Sequence, residues 1–294
     1  MYYRRKILLA LLETFDGRME KITLQKLLFL FTQRQSKPAF HFVPYKFGCF
    51  SFQANADLGT LGKYDLVRER ENEWSSIAEE SYLSAIRPAD QLLLDELKHK
   101  YQKKSSQEIL LETYREYPYY AINSQIAEKV LEEEELKAVA RQKPTPRPPA
   151  LLTIGYEGKP LEVYINTLIL EGVKVLCDVR KNSFSMKYGF SKSQLKAACE
   201  GVGIQFLHLP EVGIVSEKRK ALKTQADYDR LFAAYREEVL PQTLETQQYI
   251  LSLIEQHGRV ALTCFEADEC QCHRTHLANA ITQHEDFNYN LLHL

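Results

Sequence analysis

The sequence has no apolar run that approaches the length of a membrane span, so no transmembrane segment is predicted. The apolar stretch near its start is interrupted by Glu13 and lacks a small-residue cleavage site, which favours a helix over a signal peptide. Cysteine is scarce, with six in 294 residues, and we expect reduced thiols in a cytoplasmic protein. The formal net charge is -1, which excludes a global basic field that would attract nucleic acid.

Charge is nevertheless uneven along the chain, because the first 46 residues are rich in lysine and arginine and poor in acidic residues. Phosphate contacts need only a local basic patch, so this segment is a candidate DNA-binding surface. The alternative is a helical adaptor that binds a protein partner and never touches nucleic acid. The candidate nucleic-acid-binding residues are Arg4, Arg5, Lys21, Lys26 and Lys46.

The amino-terminal part has the pattern of a winged helix-turn-helix. Apolar residues at helical spacing predict helices over residues 2–15 and 22–31, and a third over 57–64. An aromatic segment with a turn at Gly48 separates the second helix from the third, and residues 66–74 are strand-like. Three short helices followed by a small β element give the winged-helix order.

Three stretches of this part resemble a known family, and the turn at Tyr45-Lys-Phe-Gly48 is the most distinctive of them. Together with Leu24–Leu30 and Leu58–Leu66, it resembles the Panacea or SocA-like antitoxin family over roughly residues 1–125. The resemblance implies a winged-helix-like module that recruits DNA or a protein partner.

Residues 142–150 hold four prolines, which favour an extended backbone and remove hydrogen-bond donors. We therefore predict a winged-helix-like and helical module over 1–141, a proline-rich linker over 142–150 and an α/β domain over 151–294. In that last domain, apolar strands alternate with amphipathic helices, which predicts a mainly parallel sheet with helices on both faces.

Ligands of such sheets bind outside the carboxyl ends of the strands. The chain places polar residues at four of these ends and gathers three cysteines, two histidines and an arginine between residues 264 and 276. We call the edge formed by these strand ends the sheet rim. Its predicted members are Gly155–Glu157, Asp178–Arg180, His208–Pro210 and Cys264–Glu266.

Several segments of this half, in order, resemble the bacterial domain of unknown function 488. The similarity covers nearly all of residues 151–283 and implies the fold and the place of the site, whereas the activity stays open. Cys270 departs from the usual pattern by adding a third thiol to the loop. The matching pieces are Thr153–Gly158, Asp178–Arg180, Ser185, Gly189–Ser191, Gly203–Ile204, His208–Pro210, Gly213, Cys264–Glu266 and Cys272–Arg274.

Four interpretations of the cysteine-containing loop remain open. In the first, Arg180 and Arg274 hold an anion at a helix start while an acid or His273 moves a proton. In the second, Cys264 or Cys272 is a nucleophile, although nine residues separate Cys264 from Arg274, too many for a short phosphate-cradling loop.

In the third interpretation, the thiols and histidines bind zinc. The absence of a Cys-x-x-Cys pair and the adjacency of Cys272 and His273 argue against it. In the fourth, the cysteines only pack in the core and the charges only pair with one another.

We predict a nucleic-acid- or nucleotide-directed enzyme, a hydrolase or transferase in DNA processing or genome defence, with its active site at the sheet rim. The alternative is a non-catalytic DNA-binding or regulatory protein whose α/β domain senses a small anion. No cofactor is predicted, with zinc as the open alternative. The catalytic candidates are Asp178, Glu266, Cys264, Cys272 and His273, and the substrate-binding candidates are Tyr156, Arg180, Ser185 and Arg274.

Overall fold

The structure is a computed structural model that describes residues 1–219 and 222–294. The chain divides into two compact units, residues 1–143 and residues 144–294. The first is rich in helix and the second is an α/β unit with a parallel sheet, which confirms the predicted fold class. Among the described residues, none of the helices has the length and apolar character needed to cross a membrane.

The first unit consists of short helices with three-residue and four-residue strands between them. Its strands form an antiparallel sheet in the order β1-β5-β4 and a separate β2-β3 hairpin. A winged-helix identity for this unit remains a prediction. The elements are α1 Tyr3–Thr14, β1 Arg18–Glu20, α2 Lys21–Arg34, β2 Val43–Tyr45, β3 Gly48–Phe50, α3 Phe52–Lys63, β4 Val67–Glu69, β5 Glu73–Ser76, α4 Pro88–Tyr101, α5 Ser106–Glu116, α6 Ala127–Val130 and α7 Glu133–Gln142.

Helix α2 is the central element of this unit, since ten consecutive residues from Thr23 to Thr32 are buried. Most of these residues are apolar, as expected for a helix inside a core, although Gln25 and Lys26 are buried among them. Two neighbouring helices begin at side-chain caps. Ser51 accepts a hydrogen bond from the Ala54 amide at the start of α3, and Ser105 and Glu108 form a capping box on α5.

The second unit alternates strands and helices around its sheet. All of its strand pairs are parallel, in the order β10-β6-β9-β7-β8. The elements are β6 Ala150–Gly155, α8 Leu161–Leu170, β7 Val175–Asp178, α9 Lys192–Glu200, β8 Gln205–His208, α10 Gln225–Ala234, α11 Leu244–His257, β9 Arg259–Cys264, α12 His273–Ile281 and β10 Asn290–His293.

The register of the parallel pairs brings the strand ends together at the sheet rim. Gly155 of β6 lies opposite Cys264 of β9, and Asp178 of β7 lies opposite Thr263 of β9 and His208 of β8. Strands β6 and β9 are buried along their whole length, as expected for a parallel sheet covered by helices. The buried centre of the sheet therefore fixes the positions of the loops that follow it.

Strand β10 and the end of the proline-rich segment differ from what the sequence pattern predicts. Strand β10 pairs with β6 at the sheet edge, although Val260–Cys264 is the last strand that the apolar pattern predicts. Arg259 donates hydrogen bonds to the backbone oxygens of Pro148 and Glu171. The end of the predicted linker is thereby held against the α/β unit.

Candidate active site at the sheet rim

Four side chains meet where β9 ends and α12 begins, and we call them the thiol cluster: Cys264, Glu266, Cys272 and His273. The Sγ atoms of Cys264 and Cys272 lie 3.1 and 3.0 Å from Oε2 of Glu266. His273 Nδ1 lies 3.6 Å from Sγ of Cys264 and 4.0 Å from Sγ of Cys272. Both thiols thus lie within reach of an imidazole and a carboxylate.

The backbone of β7 fixes the orientation of the His273 ring. His273 Nε2 lies 2.9 Å from the carbonyl oxygen of Val179, and a carbonyl can only accept, so Nε2 carries the proton. In the neutral ring, Nδ1 then presents its lone pair to the two thiols. A lone pair held in this way can accept a proton from a thiol or bind a metal ion.

The cluster is buried, and burial governs its protonation. Cys264 is 2% exposed, whereas Cys272 is fully buried. Burial raises the pKa of Cys272 well above its ordinary value, the neighbouring Cys264 thiol raises it further, and the charge of Arg274 acts in the opposite direction. Cys272 is therefore a neutral thiol at pH 7 unless a ligand or metal ion compensates its negative charge.

Arg274 supports the loop from beneath instead of facing a ligand. Its side chain is 1% exposed and donates to the carbonyl oxygens of Glu266 and Ala267, the latter at 3.2 Å. Its guanidinium therefore holds the two residues that follow Phe265. Both terminal nitrogens of Arg274 thus donate to backbone oxygens of its own loop, and the anion-binding role of Arg274 stays a prediction.

The same loop is fixed from its other side by the end of β6. A Cβ atom at Gly155 would lie 1.8 Å from the carbonyl oxygen of Glu266, so only glycine permits this close approach. The backbone amide of Glu157 donates to Phe265, and the Glu157 carboxylate accepts from the amide of Ala267 at 3.1 Å. Contacts on two sides therefore fix the loop that carries Glu266.

Asp178 and Arg180 form a buried ion pair at the end of β7. The guanidinium donates from Nε and Nη2 to the two carboxylate oxygens at 2.7 and 2.6 Å, and from Nη1 to the Tyr156 hydroxyl at 2.6 Å. Burial opposes the charge of Arg180, but the hydrogen bond and negative charge of Asp178 outweigh it and raise the arginine pKa. Both carboxylate oxygens of Asp178 are thus paired with Arg180.

Tyr156 is held between two aromatic rings. It stacks on Phe190 at 4.3 Å between ring centroids and meets Phe265 edge to face at 5.4 Å. Burial raises the pKa of its hydroxyl. Since Phe190 covers one ring face and 3% of the residue is exposed, Tyr156 orients Arg180 more readily than it stacks on a substrate.

A cleft of about 360 Å³ opens directly above the thiol cluster. We call it the rim cleft. Its floor includes Cys264 and His273, and its outer wall is the loop between β7 and α9. A volume of this order suits a ligand the size of a nucleotide. The lining residues are Tyr156, Arg180, Lys181, Asn182, Phe184, Ser185, Met186, Lys187, Ile214, Cys264, Phe265 and His273.

The outer wall combines cations with exposed apolar side chains. Lys187 donates from Nζ to the carbonyl oxygen of Tyr156 at 2.6 Å, and burial lowers its pKa. Phe184 is 73% exposed and Met186 is 95% exposed, which is unusual for side chains of their size. A ligand with both an anionic group and a flat apolar ring would find partners for each on this wall.

Ser191 organises this wall through its side chain. It precedes α9 but makes no side-chain cap; instead its Oγ donates to the carbonyl oxygen of Ser185 and accepts from the Ser185 amide. Ser185 in turn accepts from the amide of Lys187. The predicted substrate-binding residue Ser185 therefore lies in the cleft and shapes the loop that carries Lys187.

The structure brings most of the candidates together, in two layers. Five of them line the rim cleft, and the other four lie beneath or beside it. Lys181, Lys187 and Phe184 were missed, because an irregular loop leaves no periodic pattern in the sequence. The lining candidates are Tyr156, Arg180, Ser185, Cys264 and His273, and the others are Asp178, Glu266, Cys272 and Arg274.

The cations proposed for nucleic-acid binding in the first unit lie in different environments. Arg4 and Arg5 both pair with the buried carboxylate of Asp57, and Lys21 pairs with Glu69 at 2.6 Å. Lys26 is 2% exposed and donates to the carbonyl oxygen of Cys49. Of the five, Lys46 is the one classed as exposed. A lysine buried like Lys26 does not reach a phosphate outside the unit.

The model of a family described as Domain of unknown function DUF488 matches residues 160–281. The match confirms the resemblance for the part that runs from just before α8 to the end of α12, including the complete thiol cluster. No curated protein matches the chain.

Proposed function

We propose that the second unit is an enzyme that transforms a nucleotide or a nucleic acid in the rim cleft. The observation that carries the proposal is the position of the thiol cluster. A thiol and an oriented imidazole lie at the floor of a cleft whose wall bears lysines and exposed apolar side chains, and a second thiol and a carboxylate lie next to them. These groups either react directly or act through a bound Zn²⁺ ion.

Each part of the cleft has a separate task in this proposal. Lys181 and Lys187 attract the phosphate, and Phe184 and Met186 contact the base. The Asp178–Arg180 pair orients Tyr156 and fixes the floor. Cys264, His273 and Glu266 handle the reacting atoms, since a thiol and an imidazole within hydrogen-bond reach are the usual components of nucleophilic or hydrolytic chemistry.

The first unit would recruit the macromolecule on which the second unit acts. A local excess of basic residues and the predicted winged-helix pattern support recruitment of DNA or of a protein partner, and with it a role in DNA processing or genome defence. Mobility shifts of a duplex by the full chain at low salt test this part. Lys46→Ala is predicted to weaken the shift and to reduce its dependence on salt.

Turnover by the full chain against a panel of nucleotides and of single-stranded and duplex oligonucleotides tests the enzyme proposal. We expect product formation that falls at least about 100-fold in Cys264→Ser and in His273→Gln. Cys270→Ser is the matched control, because that thiol lies in the same loop but is exposed and outside the cluster. Saturable binding without product would instead make the unit a ligand sensor and overturn the proposal.

A further inference from the structure

We propose that the thiol cluster is a zinc site, in which Cys264, Cys272 and His273 bind Zn²⁺ and the fourth position opens into the rim cleft. The ligand atoms of the three residues all lie within 4.8 Å of one another. The inference deepens the proposed function, but its first test measures the metal and does not depend on turnover.

The spacing of the donors supports the site. Zinc bound tetrahedrally at about 2.3 Å from sulfur and about 2.0 Å from nitrogen separates these atoms by roughly 3.5 Å. His273 Nδ1 lies 3.6 Å from the Cys264 sulfur and 4.0 Å from the Cys272 sulfur. Both nitrogen–sulfur distances are therefore within about 0.5 Å of those expected around one zinc ion.

The His273 imidazole also makes the second hydrogen bond that is typical of zinc-binding histidines. A zinc-binding histidine typically donates its other N–H to a carbonyl or carboxylate, which fixes both tautomer and ring orientation. His273 Nε2 does this with the carbonyl oxygen of Val179 at 2.9 Å. The remaining nitrogen, Nδ1, faces both thiols.

Cys272 and His273 are adjacent in sequence, but the backbone changes from extended to helical between them. Cys272 has an extended backbone, with φ of −128° and ψ of 133°, and α12 begins at the next residue. Both side chains consequently reach toward Cys264. Adjacency, which argues against joint binding in the sequence alone, is therefore compatible with it here.

The balance of charge favours a divalent ion. Two thiolates neutralise Zn²⁺, while the negative charge of Glu266 and the positive charge of buried Arg274 oppose each other nearby. Thiolate and imidazole donors select zinc over magnesium or calcium, which prefer oxygen ligands. Three protein ligands with an open fourth position are typical of catalytic rather than structural zinc.

Zinc held by Cys264, Cys272 and His273 would supply an activated water for hydrolysis. Glu266 would accept a proton from that water and return it to the leaving amine or alcohol of the substrate. One water is consumed and no oxidant or reductant is needed. The reaction class is hydrolysis of a bond in the nucleotide, and this step rests on the proposed function.

The test is the metal content of the full chain, produced without a metal-binding tag, reduced, supplied with zinc sulfate and dialysed. Elemental analysis is expected to find about one zinc per chain, and Co²⁺ in its place is expected to give the visible absorption of a tetrahedral thiolate complex. Cys272→Ser and His273→Gln are expected to weaken zinc binding about 100-fold or more. Cys270→Ser and Cys199→Ser are the matched controls and are expected to retain the metal.

Glu266→Gln separates the metal from the chemistry, since it is expected to keep the zinc and lose turnover. A folded wild-type chain that binds no zinc, or that forms a Cys264–Cys272 disulfide instead, overturns the inference even if turnover is found. Zinc lost equally from the Cys270→Ser control overturns it as well. The wild-type metal content and Co²⁺ spectrum decide the matter if a cluster variant fails to fold.

Discussion

Both units of the chain bury an aspartate against arginine, but they do so in different surroundings. In the first unit, fully buried Asp57 accepts from Arg4 and Arg5, whose side chains are 31% and 15% exposed. In the second, fully buried Asp178 binds Arg180, which is 6% exposed. The contacts of Asp57 join α1 to α3 at a surface, whereas Arg180 of the second pair lines the rim cleft.

The units also differ in how each places a cation beside a cysteine. Lys26 lies next to Cys49, and burial lowers the pKa of its ammonium group. Arg274 lies near Cys272 and stays charged, because arginine does not lose its proton in proteins. The first unit can therefore relieve its buried charge by deprotonation, whereas the second keeps a permanent positive charge beside its thiols.

This comparison indicates that buried charge alone does not mark a site. In the first unit it connects helices. In the second it occurs together with a cleft and with the thiol cluster, and the same chemistry is then placed where a ligand can reach it. Substitutions at the buried charges can separate these two uses.

The largest expected effect is that of removing one partner of the buried pairs. Asp178→Asn is predicted to lower the free energy of unfolding of the second unit by about 3–5 kcal/mol, because Arg180 would remain charged and buried. Asp57→Asn is predicted to cost about 1–2 kcal/mol, since Arg4 and Arg5 can turn toward water. Equal losses in the two variants would remove the distinction.

Urea denaturation measures the free energy of unfolding of both variants, and a separate probe follows the first unit. The single tryptophan, Trp74, is buried in the first unit, so its fluorescence follows that unit. Far-ultraviolet circular dichroism follows the whole chain, and the transition not seen by fluorescence belongs to the second unit.

A matched pair of methionine substitutions tests the two buried cations. Arg274→Met is predicted to cost about 2–3 kcal/mol, because the carbonyl oxygens of Glu266 and Ala267 lose their donors. Lys26→Met is predicted to stay within about 1 kcal/mol of the native chain, since an apolar side chain avoids the burial of an ammonium group. The same denaturation curves report both, and a large loss in Lys26→Met would show that the lysine is essential to the first unit.

A smaller effect, on nucleotide binding, is expected from substitution of Lys187 on the wall of the rim cleft. Lys187→Ala is predicted to weaken nucleotide binding about 5- to 10-fold through loss of one charged contact to phosphate. Lys174→Ala is the control, because that exposed side chain lies at the opposite, amino end of β7. Isothermal titration calorimetry compares the two, and equal weakening would place the nucleotide elsewhere.

The smallest expected effect is an acid dependence confined to the first unit. Burial alone would raise the pKa of Glu112, but hydrogen bonds from Lys100, Lys104 and Tyr101 lower it from 4.5 to about 2. A lowered pKa stabilises the folded state above the ordinary value, and this contribution is lost as the pH falls from 4.5 toward 2.

Glu112→Gln is therefore predicted to cost about 1 kcal/mol at neutral pH, a value discounted for solvent screening. The difference from the native chain should shrink to a small fraction as the pH falls from 4.5 to 2. Trp74 fluorescence during denaturation at several pH values measures it, and a difference that is undiminished at pH 2 would assign the effect to packing.

Regular elements of the second unit were predictable because their apolar periodicity is strong. Helix α8 has the predicted bounds of Leu161 and Leu170, and β9 was expected one residue shorter than observed. Strand β10 was missed, since Asn290–His293 is a short edge strand with mostly exposed residues and no apolar alternation.

The sequence predicts which residues lie at the site, but it does not predict the contacts that each of them makes. Strand order alone placed Cys264 and Asp178 at one rim, because parallel strands end at the same edge. The partners of Arg274 could not be predicted, since they are backbone oxygens of its own loop. Nor could the orientation of His273, which depends on a carbonyl 94 residues earlier in the chain.

The central claim is that Cys264, Cys272 and His273 act as one centre open to the rim cleft. X-ray absorption at the zinc edge of the full, zinc-loaded chain tests it most directly. We predict two sulfur neighbours at about 2.3 Å and nitrogen or oxygen neighbours at about 2.0–2.1 Å. A zinc environment of oxygen and nitrogen alone, or one unchanged by Cys272→Ser, would contradict the claim.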